Sequence, residues 1–346
     1  DVGSRVISTS VSYEKSLTFT DTTELANMVA PLEMADATGS NSLTPTTSIV
    51  SSTTAIPAEN LVHSENAFQY SGATTYNTGI GGNRMVWFKN YGTGYGIISD
   101  SVNLDGQYIP TGGDTKSAQP NGITFNSNSI TDGGLMGANG SDHAFLFEIA
   151  ETAEVFDIVS YTGDGSSSHV IPHNLGVEPG MIIIKKPNSN SYDWVVWHKD
   201  LNPTQGLALN QSMAQQFIGA KVTAVSSENF TVNAVAAAND AGADFIAYVF
   251  GADTAGKVKC GIYSGNNSDN TINVGFAPGF VLIKNIDVGY NWAASTAELM
   301  GWSTGGYWEP NQDGAASVST SNRFMQTSSG FRITGGTGSL NMSGDD

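Results

Sequence analysis

An internal repeat constrains this chain more than any other feature. A pattern that recurs roughly every hundred residues must fold as a series of similar units, not as one continuous core. After residue 64 an aromatic–Ser/Thr–Gly turn appears three times, as Tyr70-Ser71-Gly72, Tyr161-Thr162-Gly163 and Tyr263-Ser264-Gly265. Each is followed by a β-prone run ending in lysine: Met85–Lys89, Met181–Lys185 and Phe280–Lys284. In the last two copies a Gly-x-x-Pro-Gly turn precedes that run (Gly176–Gly180 and Gly275–Gly279) and sets a tight reversal. Gly81-Gly82 stands in its place in the first copy.

An aromatic strand comes next, at Tyr95–Ile98, Asp193–Trp197 and Asn291–Ala294. Each copy then returns to an alternating strand, at Gly122–Phe125, Asn229–Val232 and Gly330–Ile333. A closing strand follows in two copies, Ala144–Ile149 and Phe245–Phe250. In the third copy Asn341–Asp345 matches the turn Asp240–Asp244, and the sequence stops there. A sandwich lacking a strand exposes a row of unpaired backbone groups. Two expectations follow: either more chain continues in the natural protein, or a neighbouring subunit supplies the strand.

Short strands separated by Gly, Asn, Ser and Asp turns predict an all-β fold. The expectation is three tandem antiparallel β-sandwich-like repeats behind an extended N-terminal arm. The boundaries are 1–64 for the arm, 65–153 for the first repeat, 154–253 for the second and 254–346 for the third. The runs Ile182–Ile184 and Val281–Ile283 do not alternate, which predicts central strands covered on both faces. Within the arm, Ser and Thr dominate residues 40–54, a composition that reads as linker. Only Thr22–Met34 carries a helical pattern, with Leu25, Met28 and Val29 on one face.

Composition agrees with this fold class and narrows the partners. Charged residues are 13% of the 346, against about 25% in an average domain, and there are 40 glycines. Ser, Thr, Asn and Gly must therefore cover much of the surface. The net charge of −18 provides no basic stripe to displace counterions from phosphates, so nucleic acid is not an expected partner. No apolar run reaches the ~18 residues of a membrane-spanning helix, and membrane insertion is not expected. One cysteine, Cys260, excludes an intramolecular disulfide and reads as a small strand residue. The sequence opens at Asp1 without Met or a signal-peptide pattern, as a processed chain or a fragment would.

Chemistry-bearing motifs are sparse. The sequence contains no Gly-x-Ser-x-Gly elbow, His-Glu-x-x-His or P-loop. His169 and His173 have a metal-like spacing, but Pro172 prevents a regular helix from aligning their rings. Asp/Asn-rich turns at Asp164-Gly165, Asn239–Gly242 and Asn266–Asn270 could offer oxygens to Ca²⁺, though none has the EF-hand pattern and turn chemistry accounts for them equally well. The reading is of no enzyme: no catalytic residue, cofactor or metal site is expected. The most suggestive segment is Gly301–Gly314, where Trp302, Tyr307 and Trp308 lie among Gly and polar residues with Asn311 close by. Aromatic faces flanked by amides suit stacking on a sugar ring or packing against a protein. Equally, these rings could cap the core of their own repeat.

The strings Tyr161-Thr-Gly-Asp-Gly-Ser166, Ile171-Pro-His-Asn-Leu-Gly-Val-Glu-Pro-Gly-Met-Ile-Ile-Ile-Lys185, Asp193-Trp194 and Asp244–Phe250 resemble repeat domains of bacteriophage tail-fibre and virion structural proteins. The resemblance spans residues 65–346, is best in the second copy and carries no catalytic or binding residues across. It implies a protein of the virion surface, made in the host cytoplasm and oligomeric, with a trimer as one form. Expected partners are other virion proteins, copies of itself and a host surface glycan. The leading expectation is a tail fibre or other appendage mediating host attachment. Its alternative is a capsid decoration, head fibre or filament subunit, and a polysaccharide depolymerase ranks last.

Overall fold

The computed structural model describes residues 62–63, 67–69, 75–90, 92, 94, 96–112, 122–134, 143–215, 219–301, 305–316, 324–335 and 340–344. Apart from Val62 and His63, the expected arm lies outside these residues, as do its helical pattern and the opening turn Tyr70–Gly72. The described part is all-β. Every ladder is antiparallel, and helix is confined to two short segments, α1 (Ala236–Asn239) and α2 (Ala297–Gly301).

The first repeat contains β1 (Val62–His63), β2 (Ala67–Gln69), β3 (Thr75–Asn77), β4 (Arg84–Asn90), β5 (Ile97–Asp100), β6 (Ile109–Pro110), β7 (Ile123–Phe125), β8 (Ser129–Asp132) and β9 (His143–Ala150). A large sheet runs β1-β9-β4-β5-β6 with β2 also on β9, and a small sheet runs β3-β8-β7. Val62 pairs with Ile149, so this sheet takes in residues ahead of position 65.

The second repeat repeats this plan with β10 (Phe156–Thr162), β11 (His169–Pro172), β12 (Pro179–Lys185), β13 (Val195–His198), β14 (Leu207–Ala208), β15 (Val222–Val225), β16 (Asn229–Val232) and β17 (Asp244–Gly251). The large sheet is β10-β17-β12-β13-β14 and the small one β11-β16-β15. One correction to the sequence alignment follows from these pairings. The counterpart of Asn229–Val232 in the first repeat is Ser129–Asp132, because each is the middle strand of its small sheet; Ile123–Phe125 matches β15 instead. Both strands of that hairpin alternate, so alternation alone could not tell them apart.

In both repeats the closing strand is inserted between the opening strand and the strand that ends in lysine, so it is hydrogen-bonded along both edges. In β17, Phe245, Ala247 and Val249 face the small sheet, while Ile246, Tyr248 and Phe250 face the opposite way. Burying each large apolar side chain contributes roughly 1.5–3 kcal/mol, which makes this one strand a main source of the repeat's stability. The run Ile182–Ile184 is likewise at most 1% exposed, as its lack of alternation predicts.

A hairpin of β18 (Asp253–Thr254) and β19 (Val258–Lys259) leads into the third repeat. It contains β20 (Asn270–Asn273), β21 (Phe280–Ile283), β22 (Ala293–Thr296), β23 (Phe324–Thr327) and β24 (Gly330–Ile333). The small sheet β20-β24-β23 is complete, but the large sheet is reduced to β21-β22. Among the described strands β21 pairs with β22 alone, while both of its faces are covered as its lack of alternation predicts: Val281 and Ile283 pack on the small sheet, and Phe280 and Leu282 on the core shared by the repeats.

The three large sheets turn one face toward a shared core. Trp87 and Phe147 of the first repeat, Ile183 and Trp194 of the second, and Ile286 and Trp292 of the third belong to one cluster. Hydrogen bonds join the repeats in cyclic order. Trp194 Nε1 donates to Pro110 O at 3.2 Å, and Trp292 Nε1 donates to Ala208 O at 2.8 Å. Thr111 Oγ1 donates to Pro310 O at 2.6 Å, which closes the ring between the first repeat and the third. A repeat protein usually contacts only its neighbours in line. Here the first and last repeats also touch, and a single chain builds the cyclic contact set of a three-subunit ring.

Candidate interaction site

The repeating Tyr–Ser/Thr–Gly turn is a clamp for the segment that leads into the closing strand. In the second repeat Tyr161 Oη donates to Ala238 O at 2.7 Å. Asn239, 1% exposed, donates from Nδ2 to Asp164 Oδ1 and Ser166 O and accepts from Asp164 N. The glycine of the turn allows this approach: a Cβ on Gly163 would lie 2.3 Å from Asp240 O. These hydrogen bonds hold the Asp164 carboxyl at about 2, the Ser166 amide contributing most and Asn239 next.

The third repeat carries the same clamp, fully made. Tyr263 Oη donates to Leu340 O at 2.6 Å, and buried Asn341 accepts from Asn266 N and donates to Ser268 O. A Cβ on Gly265 would lie 2.0 Å from Met342 O. Asn341 is thus the counterpart of Asn239, which moves the alignment of this turn by one residue from the match made on sequence alone. The Asp/Asn turns considered as Ca²⁺ ligands, Asp164-Gly165 and Asn266–Asn270, direct their polar atoms into this clamp.

Beyond the clamp lies a cleft of about 330 Å³ lined by residues of all three repeats, Trp87 and Phe147 of the first and Met181 and Leu207 of the second among them. Its wall includes Cys260, Ile262, Phe280, Leu282, Phe331 and Leu340. Apolar residues around it are less buried than their counterparts. Val281 and Ile283 are each 8% exposed, where Ile182 and Ile184 are 0%; Ile272 is half-buried where Ile171 is 1%. Ile262 is 50% exposed and stands where the second repeat has Ser160. On the opening side, residues 260–264 pair with no described strand, although their counterparts in β10 pair with β17 throughout. Cys260 lies just past the end of β19 instead of within a strand, and burial pushes its thiol up to about 12.

The aromatic segment singled out in the sequence has a different environment from the one expected. Trp308 is 1% exposed and stacks on Phe145 of the first repeat with ring centroids 6.4 Å apart. It is part of the first–third repeat junction, so it offers no face to a sugar. Asn311, 6% exposed, accepts from Trp292 N at 3.0 Å and donates to Asn291 Oδ1 at 2.8 Å. Asn210 does the same for Trp194 in the second repeat, which makes Asn311 a bracket of the repeat and not a ligand contact. Tyr307 is half-buried against the third repeat's own core. Trp302 lies outside the described residues. Of the two readings the sequence left open, packing within the protein is the one these positions follow: Tyr307 lies on its own repeat's core and Trp308 against the first repeat.

His169 and His173 do not converge. His169 Nδ1 hydrogen-bonds Asn239 Oδ1 at 3.0 Å, while His173 is bound between Ser226 O and Leu175 N. Among the described residues no group of three His, Cys, Asp or Glu side chains is placed to hold a metal ion. No helix among them is long and apolar enough to cross a membrane.

Residues 100–346 match a family described as a domain of unknown function, DUF7483. The match starts at the end of β5, inside the first repeat, and takes in all of the second and third. No curated protein and no solved structure matches the chain.

Proposed function

We propose that this chain, a member of the DUF7483 family of unknown function, is a non-enzymatic structural subunit of a bacteriophage virion, built into a tail fibre or another surface appendage. The observation that carries this reading is the architecture: three antiparallel β repeats whose large sheets turn toward one shared core, in a chain whose repeat strings resemble phage virion proteins. The resemblance of the repeat strings to phage virion proteins supplies the setting, and the acidic, cysteine-poor composition suits it. With Trp308 and Asn311 inside the molecule, the assembly role has more support than glycan binding through that segment. Host attachment, if the appendage performs it, would use another surface. Immunogold labelling and mass spectrometry of purified particles test the reading. The protein is expected at fixed stoichiometry on the particle surface, and its absence from particles would sink the proposal.

A further inference from the structure

We propose that a groove at the junction of the first and second repeats binds a neutral, polyhydroxylated ligand with the chemistry of a saccharide unit. This gives the appendage proposed above a surface for attachment, and it rests on that reading for its biological setting alone.

The junctions of the ring follow one plan, which makes their differences informative. Phe145 and Ile246 are counterparts, since they pair with Lys89 and Lys185. Asn103 and Leu299 are counterparts too: each backbone N–H donates to the side chain three residues earlier, Asp100 Oδ1 and Thr296 Oγ1. Ile109 and Trp308 correspond as the partners of Ile98 and Ala294. Between the third repeat and the first, Leu299 and Trp308 share a buried cluster with Phe145 and seal the joint. Between the first and the second, the same positions hold Asn103, Ile109 and Ile246. A groove of about 360 Å³ opens there, lined by Asn103, Ser160, Thr162, Asn188, Asp244 and Ile246 among others. Small-molecule sites span about 300–1,000 Å³. The groove shares no lining residue with the apolar cleft beside the third repeat.

The lining selects the ligand. Ser160 stands opposite Ile246 and Thr162 opposite Asp244, so the four side chains share one face of the β10–β17 pair. Ser160 Oγ donates to Asn103 Oδ1 at 2.6 Å, and Thr162 Oγ1 donates to Asp244 Oδ1 at 3.1 Å. The polar groups are thereby held in place before a ligand arrives, which lowers the entropy cost of binding. Hydroxyl, amide and carboxylate groups together offer donors and acceptors, the mixed set that sugar hydroxyls need. Buried Ile246 and Pro187 add an apolar element against which ring C–H groups can pack. No lysine or arginine lines the groove among the described residues, so phosphate or sulfate finds no counter-charge. A single carboxylate also falls short of the oxygen shell a divalent cation takes.

The test uses the full chain in saturation-transfer NMR, with glucose, galactose, N-acetylglucosamine and maltotetraose as probes. Saturable transfer to at least one is expected, with a millimolar Kd. Asn103→Leu installs the third repeat's residue and should weaken binding at least about tenfold. Asp244→Ala, at an exposed position, should do the same and keeps the test decisive if the first variant folds poorly. Trp308→Phe, at the sealed joint, should leave binding unchanged. Three results would overturn the inference: no saturable transfer to any probe, equal binding by wild type and both groove variants, or displacement of the sugar by inorganic sulfate. A particle protein that binds no probe removes the groove assignment and leaves the appendage reading. Sugar binding by a protein absent from particles does the reverse.

Discussion

Trp292 of the third repeat donates its indole N–H to the carbonyl of Ala208 in the second at 2.8 Å, in a core where the ring is 3% exposed. Trp194 makes the equivalent bond to Pro110, one repeat earlier. These two indoles tie consecutive repeats together, and each does so from the residue just before a strand of its large sheet.

Trp292→Phe is therefore expected to cost about 1–3 kcal/mol, because it leaves a buried carbonyl without its donor as well as removing ring volume. Trp308 is the control. Its Nε1 has no hydrogen-bond partner, so Trp308→Phe loses packing alone and should cost less. Trp308→Ala, by contrast, should cost about 3–5 kcal/mol and loosen the first repeat from the third. Urea unfolding of the three variants checks the order, and a larger loss for Trp308→Phe than for Trp292→Phe would contradict it.

Arg84 and Glu148 meet inside the first repeat, Nε to Oε1 at 2.6 Å, where the second repeat keeps an apolar interior. Burial pushes the Glu148 carboxyl up, against the lowering effect of its hydrogen bonds and the guanidinium. Arg84 also donates to the carbonyls of Gly82, Asn126 and Ser129, bracing the β7–β8 turn. Arg84→Met alone should cost about 3–5 kcal/mol, since it strands a buried carboxylate. Adding Glu148→Leu should recover a large part of that loss in a double-mutant cycle. Additive losses would mean that the pair is not coupled.

Two of the lysines at the ends of these strands, Lys89 and Lys284, carry a pH signature. Lys89 Nζ donates to Gly92 O, and burial lowers its pKa to about 8 despite the nearby Asp313 carboxylate. Lys284 is lowered to about 8 by the same cause. An unfolded lysine titrates near 10.4, so between about pH 8 and 10.4 the unfolded chain holds the extra proton. Stability from these groups therefore rises with pH across that window, and Lys89→Met should remove part of the rise. Guanidinium midpoints at pH 7.5 and 9.5 report it. The wild-type advantage over the variant should be greater at the higher pH, and a constant difference would reject the assignment.

Cys260 borders the open cleft, yet burial holds its thiol near 12. At pH 8 the thiolate is then about a thousandfold scarcer than for a free cysteine of pKa about 8.5. Native protein should react with a disulfide reagent at least two to three orders of magnitude more slowly than unfolded protein. A native rate near that of a free thiol would show that the cleft wall is open to solvent.

Alternation and turn chemistry in the sequence sufficed for the all-β class, the threefold recurrence and the closing strands Ala144–Ile149 and Phe245–Phe250. The turn Tyr161–Gly163 was legible too, because only glycine tolerates the approach of Asp240. Those features depend on contacts that each repeat makes with itself. Other features were decided by neighbours far apart in sequence. The middle strand of the first small sheet is Ser129–Asp132 and not Ile123–Phe125, because pairing with Thr75–Asn77 selects it. Trp308 is buried because Phe145 lies against it from the first repeat, and no local pattern encodes that contact. The same holds for the candidate site. In the third repeat the described strands stop short of a counterpart to β17. Only the sheet order reveals that the gap falls between two strands, where an apolar cleft opens. A sequence specifies which faces are apolar through short-range periodicity; which partner covers each face is set by long-range packing, and that is decided in three dimensions.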